Sequence, residues 1–455
     1  MINKKILQKI CLALACSVCM QLAHSQQIIE RDPMIEKMVN EVSSDSLRIF
    51  VEKLVSFGTR STLSSTTDKK RGIGPAREWI LQKFEQFSRN SNGRLTAVLD
   101  TITLPADKRR LDVPTNIGNV IATLKGTDTS DKRVFMISGH LDSRATNVMN
   151  RTIDAPGAND DGSGVAAVLE SARIMSRQNF PATIIFVAFS GEEQGLLGAE
   201  YLANKMVTEN IALEALFNND IMGSNHSNGT NIINNTMVRV FSEGLPALET
   251  DKKAGMIRSF GLENDGSPRQ LARYIKEVGE RYVDNLEVKL IYRSDRYLRG
   301  GDQTPFLQKG FTAIRISEMN ENFNHQHQDL RTENNIIYGD LTEFMDFEYL
   351  RKNTALNLSC LANLAKSPAK PETVKMEVKT LSNFTNLSWK ELPRQTARGF
   401  YVLIRESSSP VWQKKIFTNQ NTISLPYSKD NYVFAVQSVS HNNNESLPVL
   451  PTADR

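Results

Sequence analysis

Along residues 46–57 and again along 74–87, apolar side chains recur at helical spacing: Leu47, Phe50, Val51, Leu54 and Val55 in the first stretch, Ala76, Trp79, Ile80 and Phe84 in the second. This periodicity predicts two amphipathic helices. A different pattern follows. Four runs rich in β-branched residues, at 134–138, 183–189, 215–219 and 312–316, each end in a polar cluster, and helix-patterned segments separate several of them. Short continuous apolar runs alternating with helices predict an α/β domain whose central sheet is mixed but largely parallel and flanked by helices. Ligands of such sheets gather at the carboxyl ends of the strands. Each run is followed within a few residues by His, Asp or Glu, namely His140, Glu192 with Glu193, Asp220 and His325. The four strand ends are therefore expected to present ligand-type side chains at one rim.

Beyond Lys366 the pattern changes. A short Pro-containing linker, Ser-Pro-Ala-Lys-Pro-Glu at 367–372, leads into short alternating or β-branched runs at 374–378, 386–389, 400–404, 412–417, 422–425 and 432–439, separated by turn residues. These predict a small all-β sandwich over 371–455, and an early Trp389 with a late strand at Tyr432 resembles a fibronectin type III module. At the other end, Lys4, Lys5 and Lys9 precede an apolar stretch from Ile10 to Leu22 and a small-x-small triplet, Ala23-His24-Ser25. That order is the signature of a signal peptide over 1–25. The apolar stretch is shorter than the ~20 residues that span hydrocarbon, so no membrane span is expected in the mature chain. Cys16 after Leu14-Ala15 hints at a lipoprotein box, although Ala13 stands where Leu is usual. An exported protein, periplasmic or extracellular, is the expectation, with the α/β domain over 26–366 and residues 26–45 as an N-terminal extension.

Length and composition refine this picture. The 455 residues, 40% hydrophobic and 23% charged, suit a large core with an accessory module. Three of the four cysteines, Cys11, Cys16 and Cys19, lie in the leader, so the mature chain keeps only Cys360 and forms no internal disulfide. The formal charge of +4 falls near neutrality once the three leader lysines are removed, which gives no reason to expect a nucleic-acid partner.

Candidate chemistry is concentrated in a few blocks. In Ser-Gly-His-Leu-Asp-Ser at 138–143, His140 and Asp142 stand two apart on an extended chain. Asp142 can then orient the imidazole while its other nitrogen faces a metal. The glycine-rich turn at 155–164, Ala-Pro-Gly-Ala-Asn-Asp-Asp-Gly-Ser-Gly, carries adjacent acids Asp160 and Asp161 ahead of a helix pattern, where one of them could equally be a helix cap. Glu192 and Glu193 directly follow an apolar strand in Ser-Gly-Glu-Glu-Gln-Gly at 190–195. Paired carboxylates at a buried rim repel one another unless a cation or proton separates them. With imidazole and oxygen ligands and no thiol at hand, zinc is the expected metal, and manganese or cobalt are its substitutes.

These blocks, in this order, resemble the co-catalytic di-zinc aminopeptidases, a family that includes bacterial leucyl aminopeptidases and, more distantly, glutamate carboxypeptidases and glutaminyl cyclases. The resemblance covers about 46–365. It implies a zinc-exopeptidase fold, two Zn2+ per chain and peptide substrates. It makes Asp160 the carboxylate bridging the metals, with His140 and Asp220 completing one site and Glu193 and a late histidine the other. In the family that histidine stands four residues before an acid, a spacing that His325 has to Asp329 and that leaves His327 in a supporting or exposed position. Glu192 is then the general base, Tyr297 an oxyanion candidate, and Arg299 a candidate for a substrate carboxylate or backbone. The same scaffold also supports glutaminyl cyclisation, carboxypeptidase activity on acidic ends, or binding without catalysis. The sandwich is expected to be a spacer or a contact to a surface or polymer.

Overall fold

The computed structural model describes residues 29–248, 250–390 and 397–454; the leader predicted over 1–25 lies outside them. The described residues divide into two compact units, one within 31–367 and one within 368–454 together with residues 29 and 30.

The larger unit opens with three helices, α1 (Pro33–Asn40), α2 (Ser44–Val55) and α3 (Ile73–Ser88). Asp32 and Ser43 cap the first two by accepting from the Met34 and Ser46 amides. The stretch expected to be an extension thus contributes Ile35, Met38 and Val39 to the core. An eight-stranded sheet follows, in the order β1-β2-β4-β3-β5-β8-β6-β7. Its strands are β1 (Leu95–Leu104), β2 (Thr115–Leu124), β3 (Val134–His140), β4 (Thr183–Phe189), β5 (Leu213–Asn219), β6 (Met237–Phe241), β7 (Glu287–Ile291) and β8 (Ala313–Glu318). The four apolar runs of the sequence become β4, β3, β5 and β8, neighbours joined in parallel at the centre of the sheet. Antiparallel pairs occur where β1 meets β2, β2 meets β4 and β6 meets β8, which makes the sheet mixed.

Connecting the strands are α4 (Gly162–Met175), α5 (Leu197–Thr208), α6 (Asp251–Phe260), α7 (Ser267–Tyr282) and α8 (Gln303–Gln308). The unit closes with α9 (Phe347–Lys366). α4 and α9 are buried almost all round because each is enclosed: α9 packs on α7, α1, α2 and α4, and α4 on β3, α2 and α3. Cα–Cβ space is refused where α4 meets β3, since a Cβ on Gly139 would lie 2.6 Å from the Gly164 backbone. No helix among the described residues is long and apolar enough to cross a membrane.

The smaller unit carries a four-stranded sheet over 375–454 and a three-stranded sheet over 399–439. Val374, Leu387, Trp389 and Leu425 meet Phe400, Val402, Ile404, Phe434 and Val436 in one core, so inward positions alternate as in a sandwich.

Candidate metal and active site

The carboxyl ends of β3, β4 and β5 supply the floor of the site. His140, the last residue of β3, is 2% exposed. Its Nδ1 lies 3.0 Å from the Asp142 carbonyl oxygen, with the Asp142 carboxylate at 3.6 Å, and this fixes the ring so that Nε2 faces Asp160 Oδ1 at 3.1 Å. The buried Asp142 carboxylate also accepts from Thr62 Oγ1 at 2.8 Å and from the Glu192 and Glu193 amides at 3.3 and 3.2 Å. One carboxylate therefore ties the end of β3 to the turn that follows β4.

The turn bearing Asp160 is held from three sides. Fully buried Arg60 donates to the carbonyls of Leu141, Pro156 and Gly157 at 2.7, 2.5 and 2.8 Å. Asp340 accepts from the amides of Asn159 and Asp160, the latter at 2.7 Å. Gly157 adopts φ +55°, and a Cβ there would lie 2.5 Å from the Ser143 side chain, so the turn needs glycine. Asp161 caps α4, accepting from the Gly164 and His140 amides at 2.9 and 2.8 Å. Of the paired acids, the second is the helix cap and the first faces the histidines. Arg60→Met is expected to lower stability by about 3–5 kcal/mol, because three buried carbonyls lose their donor; thermal unfolding at pH 7 checks it.

His327, not His325, completes the constellation. His327 Nε2 lies 3.0 Å from Asp160 Oδ2 and 3.2 Å from Glu193 Oε1. His325 sits in the turn closed by its amide on the Asn322 carbonyl, and its ring stacks on Phe344 with centroids 3.7 Å apart. Its Nδ1 is buried without a hydrogen bond, and burial with the nearby His226 pushes its pKa down to about 4. Between the two histidines the chain turns: His327 has φ +51°, which swings its side chain toward Asp160. Asp329, whose spacing singled out His325, instead accepts from the Thr146 amide at 2.9 Å. The result is two ligand-type groups, His140, Glu192 and Asp220, and Asp160, Glu193 and His327.

Electrostatics follow from this crowding. Burial alone would raise the Asp160 pKa, but hydrogen bonds from both imidazoles hold it well below the carboxylate range. Burial would likewise lower His327, yet Glu193 and Asp160 outweigh it and carry the imidazole up to about 10. Glu192 is raised well above the usual range by burial, and by repulsion from Glu193, Asp220 and Asp302 against the attraction of His140.

A model of peptidase family M28 matches residues 119–347, the span that holds both ligand-type groups. A protein of Leptosphaeria maculans named as a probable zinc metalloprotease is 42% identical over 418 residues, covering 92% of this chain and 96% of its own. The chain belongs to peptidase family M28. A probable zinc metalloprotease of Pyricularia oryzae is 40% identical over 431 residues, with 92% and 84% of the two chains covered. The fold is similar to that of the LapA aminopeptidase of Legionella pneumophila, at TM-score 0.52 and 17% identity over 76% of this chain and 77% of that one.

In this M28 peptidase β8 and the segment 294–306 before it contribute residues that the sequence did not single out. Arg315, fully buried on β8, reaches Asp220 Oδ2 at 2.7 Å and Asp295 Oδ2 at 3.2 Å, so one Asp220 oxygen is held by the protein while Oδ1 accepts no hydrogen bond. Asp302 is 1% exposed with neither carboxylate oxygen hydrogen-bonded. Burial pushes its pKa up to about 8, with Asp142 and Asp220 repelling its charge and His140 and Arg315 opposing the rise. Arg299 lines the pocket over the floor. Tyr297 does not: it is 75% exposed, with the Arg293 guanidinium 5.3 Å from its ring centroid, so the oxyanion role expected of it is not supported by its position.

Behind this wall Glu321 pairs with Arg239 at 2.6 Å and Arg296 at 3.2 Å. Burial opposes its ionisation, but the two guanidiniums bring its pKa down to about 2. A depressed folded-state pKa adds stability that is present above the unfolded value near 4.3 and is lost as pH falls toward 2. Glu321→Gln is therefore expected to cost roughly 3 kcal/mol at pH 7 and progressively less from pH 4 to 2, read from denaturant unfolding across that range.

Proposed function

We propose that this M28 peptidase is an aminopeptidase working with two zinc ions, one held by His140 and Asp220 and the other by Glu193 and His327, with Asp160 shared between them. The observation that carries the reading is the pose of Asp160, whose two oxygens face His140 Nε2 at 3.1 Å and His327 Nε2 at 3.0 Å. Tetrahedral coordination at ~2.0 Å puts ligand atoms about 3.3 Å apart, close to these separations. Asp220 Oδ1 is buried without a hydrogen bond, and so is Glu193 Oε1 despite its 3.2 Å approach to His327 Nε2. Orphaned oxygens of this kind in a nitrogen and oxygen donor set fit zinc, with manganese or cobalt as substitutes. The names of the relatives, zinc metalloproteases, agree.

Zinc bound there supplies Lewis acidity that acidifies water and polarises a peptide carbonyl. Glu192, carried on the turn after β4 and unclaimed by Asp142, which takes only its amide, accepts the proton of the attacking water and returns it to the leaving amine. One of the two metal positions would take the free α-amine of the peptide, which would confine cleavage to the amino end.

Metal content by mass spectrometry, paired with hydrolysis of aminoacyl-nitroanilides before and after chelation, tests the reading. About two zincs per chain with chelator-sensitive turnover is the expected result. One zinc without hydrolysis points to cyclisation of amino-terminal glutamine, and no metal to a binding protein. We further infer that the enzyme is exported through the leader at 1–25, and that the C-terminal sandwich is a fibronectin type III-like spacer or surface contact.

A further inference from the structure

We propose that the rim of the active-site pocket is an anion subsite, in which Arg299 and Arg110 take a carboxylate of the peptide substrate; this rests on the aminopeptidase reading above. The pocket measures about 350 Å³, and every side chain that lines it is charged, apart from two glycines and His327. It offers no apolar wall, so a leucine-like side chain gains little there and strips water from guanidiniums without replacing it.

The arginines of this rim are not equally engaged. Arg296 is committed to Asp295 and Glu321. Arg144 donates to the carbonyls of Ala145 and Thr146 and comes within 3.8 Å of Glu193. Among the described residues Arg299 has no ion pair, and Arg110 only donates Nη1 to the Glu193 carbonyl at 2.8 Å. Among the described residues two guanidiniums therefore line the pocket without an acid of the protein to balance them. The acids of the floor face inward toward the histidines, and cations bound there neutralise them, leaving the rim positive. A planar guanidinium matches a carboxylate with two parallel donors, whereas a lysine-bearing substrate meets repulsion. The carboxylate can come from an acidic side chain near the scissile bond or from the free α-carboxylate of a dipeptide.

Matched substrate pairs separate these sources. On the zinc-loaded full chain, kcat/KM is compared for peptides beginning with Glu or Gln, for peptides with Glu or Gln in second place, and for Ala-Ala against Ala-Ala amide. At least about a tenfold preference for the charged member of one pair is expected. The Glu/Gln pairs identify a side-chain source, and the free/amidated pair an α-carboxylate. Arg299→Gln is expected to reduce the preferred ratio at least about fivefold, and Arg299→Lys to retain part of it, since lysine keeps the charge but not the fork. Ratios near one in all pairs, or a ratio unmoved by Arg299→Gln and Arg110→Gln, overturn the proposal. Calorimetric titration of the same peptides into zinc-loaded Glu192→Gln reads the preference without turnover. Failure of all hydrolysis with the Kd preference intact removes the aminopeptidase reading and leaves the subsite standing; equal Kd values within every pair remove the subsite.

Discussion

Glu192→Gln is expected to lower kcat by roughly 10³-fold while zinc content stays that of the parent enzyme. The amide keeps the size and hydrogen-bonding reach of the carboxylate but cannot take a proton from water. Two features make the separation of binding from turnover credible. Glu192 is anchored through its amide to Asp142, so the side chain can change without moving the turn. The neighbouring Glu193, whose amide rests on the same carboxylate, keeps its own place beside His327. Metal analysis and steady-state kinetics on one preparation decide the matter: loss of zinc together with activity would reassign Glu192 as a ligand, and full activity would remove it as the base.

The second large effect distinguishes two histidines separated by a single residue. His327→Ala is expected to leave about one zinc per chain and to lower kcat/KM by more than about 100-fold, since deleting a ligand costs more than deleting a group that supports one. His325→Ala is expected to keep the full zinc content, because that ring faces Phe344 and not Asp160. A pH signature accompanies the difference. Before metal enters, Glu193 and Asp160 hold the His327 pKa up near 10 against the opposing effect of burial, so the imidazole is protonated at neutral pH. Metal must displace that proton, and affinity at this site should rise as pH rises toward 10. Calorimetry in buffers of different ionisation enthalpy counts the released proton; none released in the parent enzyme, or zinc lost with His325→Ala, would exchange the roles of the two residues.

Much of the candidate site was legible along the chain because its residues sit where local rules operate. β3, β4 and β5 are short apolar runs, and His140, Glu192, Glu193 and Asp220 follow them directly, so recognising the strands placed the side chains at one rim. The adjacent acids Asp160 and Asp161 stood out as a pair, but only the family resemblance chose between them; in the fold the helix beginning at Gly162 takes Asp161 as its cap and leaves Asp160 to face inward.

Residues that support or complete this floor were hidden, and the reason is physical. Arg60, Asp340 and Arg315 reach it from elements far away in sequence, and only burial beside Gly157, Asp160 and Asp220 gives them their tasks. Asp302 reads as an ordinary helix start until folding strips its water and brings it within the field of Glu192. The loop after β8 has no periodicity to read: residue spacing favoured His325, but a turn stacks that ring on Phe344 and a left-handed backbone at His327 presents the neighbouring imidazole instead. Hydrophobic pattern and strand-end spacing thus determined the α/β architecture and most of the acidic floor, because both depend on neighbours in the chain. Tertiary packing alone decided which loop histidine faces Asp160 and which arginines stand unpaired above it, because loop backbone angles and burial are set by contacts between distant segments.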